Sequence, residues 1–219
     1  MTPEFWSVPK CWPGETVAVL GCGASLTSKQ VKLLKGKCRI VATNRAYELA
    51  PDADWLFGAD AGRFWLRCSK AVEFAGTKIV IWPPDNRAGA REYVPRLVDA
   101  GVKLIKHCSP FQYPGISDDP GVVYGSSSVH HVLSVIHHTG VKRVLLLGVD
   151  HRAGHFHEDY PGEPSEMADY RPLIAAFGEM ALPLAKAGVE VVNCSPGSAV
   201  KCWSQVDIAH AVAQANPVL

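Results

Sequence analysis

A chain of 219 residues that is 47% hydrophobic and 20% charged can bury a substantial core and falls within the usual size of a single domain. Its 22 basic and 21 acidic side chains nearly cancel, so the charge footprint of a protein that coats nucleic acid is absent. The opening MTPEFWSVPKCWPGE has neither the basic start nor the apolar stretch of a signal peptide, and no run approaches the roughly 20 apolar residues that span a bilayer, so neither export nor membrane insertion is expected.

Seven cysteines, an odd number with no CxxC pair, read as free thiols in a reducing cytoplasm rather than as a disulfide frame or a thiolate zinc site. Short apolar, β-branched runs at Thr16–Gly21, Cys38–Thr43, Asp54–Gly58, Lys78–Trp82, Val102–Ile105, Arg143–Gly148 and Glu190–Asn193 predict buried parallel strands. Between them, helical spacing of apolar residues predicts helices over Leu26–Leu34, Arg63–Phe74, Arg91–Ala100, Ser127–His138 and Tyr170–Ala187. Strands alternating with helices imply right-handed crossovers and a Rossmann-like α/β domain, its mostly parallel sheet covered by helices on both faces. Two long loops, 106–124 and 151–168, interrupt this pattern, and ligands of such sheets bind beyond the carboxyl ends of the strands.

The candidate site residues follow strand ends in chain order. Gly21-Cys22-Gly23-Ala24-Ser25-Leu26 comes after the first strand and before a helix, so its backbone could cradle a phosphate; it could equally be a tight turn with a helix cap. Leu26 replaces the third glycine of a dinucleotide fingerprint. Asn44 and Asp60, after the second and third strands, carry directional groups for a ribose or base edge, or serve as turn residues. Gly125, Ser126, Ser127 and Ser128 open a helix with hydroxyl and N–H donors suited to phosphate. The histidines at 130, 131, 137 and 138 on that helix lack metalloprotease spacing and read as surface and packing residues. Asp150, His151, His155, His157, Asp159 and Tyr160 gather acid–base chemistry in the second long loop, with metal ligation or a plain solvated loop as the alternatives. Ser195, in NCSPGS, reads as a wall of the same cleft.

The GCGASL turn, Asn44, the Ser-Ser-Ser helix start, VKRVLLLGVD and NCSPGSAV together resemble the bacterial lipooligosaccharide sialyltransferases and the related archaeal hydroxymethyldihydropterin pyrophosphokinase-like family. The histidine loop is also similar to a set of small bacteriophage proteins. The resemblance implies a GT-A-like variant of the sialyltransferase kind and a nucleotide-activated sugar as co-substrate. It assigns donor binding to Gly21, Gly23, Ser25, Asn44, Ser126, Ser127 and Ser128, catalysis to His157, with His155 or His151 as alternatives, and leaving-group assistance to Tyr160. Ser128 stands where the family has glycine, and Asp60 where it has a further asparagine. A metal-independent glycosyltransferase is the leading expectation, acting on an acceptor hydroxyl that the phage likeness would make a modified DNA base. A magnesium-dependent pyrophosphokinase-like transferase, with Asp60, Asp150 and Asp159 around ATP, and a non-catalytic nucleotide-binding module are the alternatives.

Overall fold

The computed structural model describes residues 4–82, 90–108, 115–152, 154–157 and 170–215. Eight strands form one sheet: β1 (Thr16–Leu20), β2 (Arg39–Thr43), β3 (Trp55–Phe57), β4 (Thr77–Ile81), β5 (Lys103–His107), β6 (Val122–Val123), β7 (Arg143–Leu147) and β8 (Glu190–Asn193). Their spatial order is β6-β5-β4-β3-β2-β1-β7-β8, and every pairing is parallel. The short β6 lies inside the stretch expected to be a loop; two residues leave no readable alternation.

Side chains alternate across this sheet into two cores. Ala18, Leu20, Leu145 and Leu147 face one way, against α1 (Ser28–Leu34), α2 (Ala90–Asp99) and α5 (Ile208–Ala213). Val17, Val19, Val144 and Leu146 face the other, against α3 (Ser128–Val135) and α4 (Arg171–Lys186). The division follows from handedness. Winding from β1 towards β6 puts right-handed crossovers on one face, and winding on to β7 and β8 beyond the other side of β1 puts them on the opposite face. The carboxyl ends of β1 and β7, where the winding reverses, are thereby left uncovered.

One helical expectation changes and one helix is added. The span Arg63–Phe74 is not an α-helix but a wide π turn at Ala61–Trp65 followed by a 3-10 turn at Ser69–Glu73. The wide turn buries Phe64 and Trp65 side by side, and the Trp65 indole donates to the Gly58 carbonyl at 2.7 Å, contacts a regular helix would send to different faces. Helix α5 carries no periodic signal because it is only six residues long; its mark is Asp207, whose carboxylate accepts from the Ala209 and His210 N–H groups. All seven cysteines are free thiols, and no helix among the described residues is long and apolar enough to cross a membrane.

The helix histidines do pack the core. His131 is buried against Phe57 and donates from Nε2 to the Gly125 carbonyl at 2.9 Å, and His130 is fully buried against Phe177. Burial pushes both imidazoles down to about 3 from the usual 6.5. They are therefore neutral when folded, whereas the unfolded chain takes up protons below about pH 6.5, so acidification favours unfolding. The urea midpoint is expected to be level above pH 7 and to fall steadily from pH 6.5 to 5, before carboxylates titrate; a level midpoint across that window would contradict the burial of neutral imidazoles.

Candidate active site

A cleft of about 150 Å³ opens where the winding reverses, between the chain that leaves β1 and the chain that leaves β7. Gly21 and Gly148 bring those two turns into contact: a Cβ at Gly23 would lie 2.5 Å from the Asp150 carboxyl carbon, and one at Gly148 would lie 2.7 Å from the Gly21 carbonyl. Gly148 also has φ +64°, so an L side chain there is strained as well as crowded. Backbone bonds lock the turns together, Gly21 N–H to the Leu147 carbonyl and Gly23 N–H to the Gly148 carbonyl, each 2.8 Å.

These bonds revise the expected phosphate cradle. The N–H groups of Gly21, Gly23, Ser25 and Leu26 all donate within the protein, and α1 does not follow the turn directly but starts at Ser28, capped by Thr27 in a reciprocal box with Gln30. The glycines here serve close approach of two strand ends. Ser25 instead clamps Asp150: its N–H donates to Oδ2 at 2.8 Å and its hydroxyl donates to Oδ1. Asp150, 3% exposed, is thus a buried carboxylate with both oxygens engaged, while its carbonyl accepts from Ala199 N–H at 2.9 Å.

Across the cleft, Ser127 caps α3 by accepting from the His130 N–H at 3.3 Å, and the Ser128 hydroxyl donates to Asn44 Oδ1 at 3.3 Å. Cys22 also lines the cleft, but burial pushes its thiol up to about 12 and it donates to the Thr43 carbonyl, so it is no nucleophile at neutral pH. The histidine loop folds back over the glycine turn: Gly23 and His155 form an antiparallel bridge, and Phe156 N–H donates to the Cys22 carbonyl at 3.1 Å. His151 and His155 line the cleft; His157, two residues further on, does not.

Asn44, Ser127, Ser128, Gly21, Gly23, Asp150 and His155 are therefore brought together. Other expected residues are not among the lining. Asp60 follows β3, which β2 separates from β1, and it is exposed at the start of the π turn. Gly125, at φ +107°, turns its carbonyl towards His107 and His131 as a shared acceptor, and Ser126 is exposed. Ser195 is buried one layer behind the cleft, where its hydroxyl accepts from Val149 N–H at 2.9 Å and so fixes the turn that carries Asp150. Asp159 and Tyr160 lie outside the described residues.

Two lining residues went unread in the sequence. Arg152 is the only arginine or lysine among them; its guanidinium donates to the Pro196 carbonyl at 3.2 Å and lies across Gly197, where a Cβ would come within 2.7 Å of it. Tyr170 closes the wall at the start of α4. A lone Arg and a Tyr in polar loops carry no periodicity or motif. A structural signal does mark the place: among the described residues the only non-glycine residues at positive φ are Asn44 at +48° and His151 at +47°, and both line this cleft. Such conformations persist where surrounding contacts enforce them and concentrate at functional sites.

Fold and cleft together define an α/β protein with a polar crevice at the topological switch point of a parallel sheet. No family model and no curated protein matches the sequence. Among solved structures it is similar to the sialyltransferase CstII from Campylobacter jejuni in complex with a substrate analogue, cytidine-5'-monophosphate. The identity is 11% and the TM-score 0.39, with 90% of this chain and 87% of that chain covered. A likeness of that degree carries no weight for chemistry, which has to be argued from the cleft itself.

The Asp150 clamp predicts a measurable coupling. Ser25→Ala removes a hydrogen bond to a buried carboxylate, an interaction worth roughly 1.5–3 kcal/mol, and should lower unfolding free energy by that order. Ser25→Ala in an Asp150→Asn background should cost much less, since the charge that needs the hydroxyl is gone; equal losses in both backgrounds, read by a double-mutant cycle in urea, would show that Ser25 does not act through Asp150.

Proposed function

We propose that the protein is a glycosyltransferase that binds a nucleotide-activated sugar in the switch-point cleft and transfers the sugar to an acceptor hydroxyl. The observation that carries this reading is the convergence, in one cleft, of a tethered guanidinium, a helix start bearing two serines, and two histidines. Sugar transfer from such a donor needs two services. Charge builds on the departing phosphate, and fixed donors that need not reorganise stabilise it; Arg152, Ser127 and Ser128 are of that kind. The acceptor hydroxyl must lose its proton, which a neutral imidazole on the loop that carries His151 and His155 can take.

Asn44 supplies the directional contact to the nucleoside. Its Oδ1 is held by Ser128, which orients the amide and leaves its N–H₂ as donors for an acceptor atom on base or ribose. The order of motifs that resembles the sialyltransferases supports a sugar nucleotide as donor, and the phage likeness puts a hydroxylated DNA base among the acceptors to test.

The magnesium-dependent alternative requires Asp60, Asp150 and Asp159 around one set of phosphates. Asp60 sits beyond the intervening β2 and outside the cleft lining, and both Asp150 oxygens accept from Ser25, so the described residues support metal-independent transfer better. A direct test is nucleoside phosphate release from CMP-, UDP- and GDP-activated sugars with and without chelator. Chelator-insensitive release is expected from one of them. Magnesium-dependent AMP release from ATP would establish the alternative, and nucleotide binding without turnover would leave a binding module.

Arg152 provides a sharper test of where the phosphate sits. Arg152→Ala should weaken binding of the cognate nucleotide tenfold or more, about 1.4 kcal/mol, and leave binding of the corresponding nucleoside within twofold. Isothermal titration checks both; equal losses for the two ligands would remove Arg152 from the phosphate subsite.

A further inference from the structure

His130 presents an unexplained cost. It is fully buried, neither ring nitrogen makes a well-formed hydrogen bond, and the Leu173 carbonyl is near enough only to favour a proton slightly. An apolar side chain of similar volume would fill the same space without burying two polar atoms. What the imidazole touches explains its presence. Its plane lies nearly parallel to that of His151, 6° apart with centroids 6.2 Å apart, and both rings pack edgewise on Phe177, at 4.1 Å from His130 and 4.9 Å from His151. Tyr170 meets His151 edge to face at 5.9 Å.

His151 is the residue that needs such a frame. It lines the cleft, sits in the left-handed region at φ +47°, and directly follows the clamped Asp150. We propose that His151 is the general base of the transfer, and that His130 is the positioning residue that holds its ring in register with the acceptor. The choice of base rests on the glycosyl-transfer reading above; the positioning does not.

His151 Nδ1 is buried without a partner, which leaves Nε2 as the ring atom a hydroxyl in the cleft can reach. Nε2 takes the acceptor's proton as the acceptor oxygen bonds to the anomeric carbon. The bond from that carbon to the phosphate oxygen breaks, and its electron pair leaves with the nucleoside phosphate. The imidazolium then returns its proton to solvent. Burial pushes free His151 down to about 4, with the charge of Asp150 opposing. It is therefore neutral and ready to accept at physiological pH, and an anion bound in the cleft raises its basicity when it is used. The groups around the ring are Asp150 on its own segment, His130 from α3, and Tyr170 and Phe177 at the start and along the face of α4. Asp150 favours the imidazolium as it forms, and His130 stays neutral beside it.

His130→Phe and His151→Asn test the two halves separately, with CMP, UDP and GDP as binding probes and their sugar nucleotides as substrates. His130→Phe should bind its nucleotide within twofold and lose at least tenfold in kcat per folded molecule; a packing role alone would leave kcat per folded molecule unchanged, whatever the variant's stability. In nitrogen-detected NMR, His151 should occupy one tautomer with the proton on Nδ1 in the parent and exchange between tautomers in His130→Phe. Unchanged His151 signals in that variant would overturn the positioning claim whatever the enzyme does. His151→Asn should lower kcat at least a hundredfold and remove the acid limb of the pH profile; near-normal turnover with that limb intact would overturn the base assignment while leaving the function standing. If the parent turns over none of the sugar nucleotides, the base assignment falls with the function, while the NMR result still decides the positioning.

Discussion

The contact between the turns after β1 and β7 is the constraint on which the rest depends. A sheet whose winding reverses must leave its two central strand ends without a covering crossover, and here those ends are drawn together until only glycine fits at positions 21, 23 and 148. That closeness has a chemical cost and a chemical use. It buries the Asp150 carboxylate, which survives because Ser25 satisfies both of its oxygens, and it fixes the backbone from which His151 and Arg152 project. Ser195, behind the cleft, holds the same turn through the Val149 N–H, so the segment is tied from both sides before any ligand arrives.

Seen from this contact, the glycine turn changes meaning. The N–H groups of Gly21, Gly23 and Ser25 are spent on the neighbouring turn, so the proposed anion binding falls to groups that arrive from elsewhere: the serines at the start of α3 and the guanidinium tethered to the Pro196 carbonyl. The same economy shapes the opposite wall. Ser128 orients Asn44, Asn44 is held in the left-handed region, and the loop bearing His155 pairs with Gly23 to roof the cleft. Few of these side chains are free to choose another rotamer, which is the property a site needs if its dipoles are to act without reorganising.

The sheet was legible because buried parallel strands write themselves as short apolar runs; β1, β2, β3, β4, β5, β7 and β8 lie within two residues of where those runs fall. The regions that were not legible share one cause: their conformation is set by partners distant in sequence. Arg63–Phe74 has helical spacing, but the Gly58 carbonyl and the crowding of Phe64 and Trp65 impose a π turn. Gly21, Gly23 and Ser25 carry the right residue types for a phosphate loop, yet Leu147, Gly148 and Asp150, more than a hundred residues later, claim their donors. Asn44, Ser127, Ser128 and Asp150 were placed in the cleft because each stands at a strand end or helix start, and His155 because it belongs to a histidine-rich loop after such a strand end. Arg152 and Tyr170 belong to the cleft only through the fold. His151 was noticed, but its strain and its pairing with His130 have no trace in the sequence.

Mapping a bound nucleotide onto the folded protein tests the central claim most directly. In an amide-detected NMR titration with CMP, UDP and GDP, at least one should shift signals from Gly23, Asn44, Ser127, Ser128 and Arg152 together, with a single affinity, and leave the amides beside the groove lined by Phe5, Trp6 and Lys103 unmoved. Shifts confined to that second groove, or no saturable shift with any of the three, would contradict a nucleotide site at the reversal of the sheet.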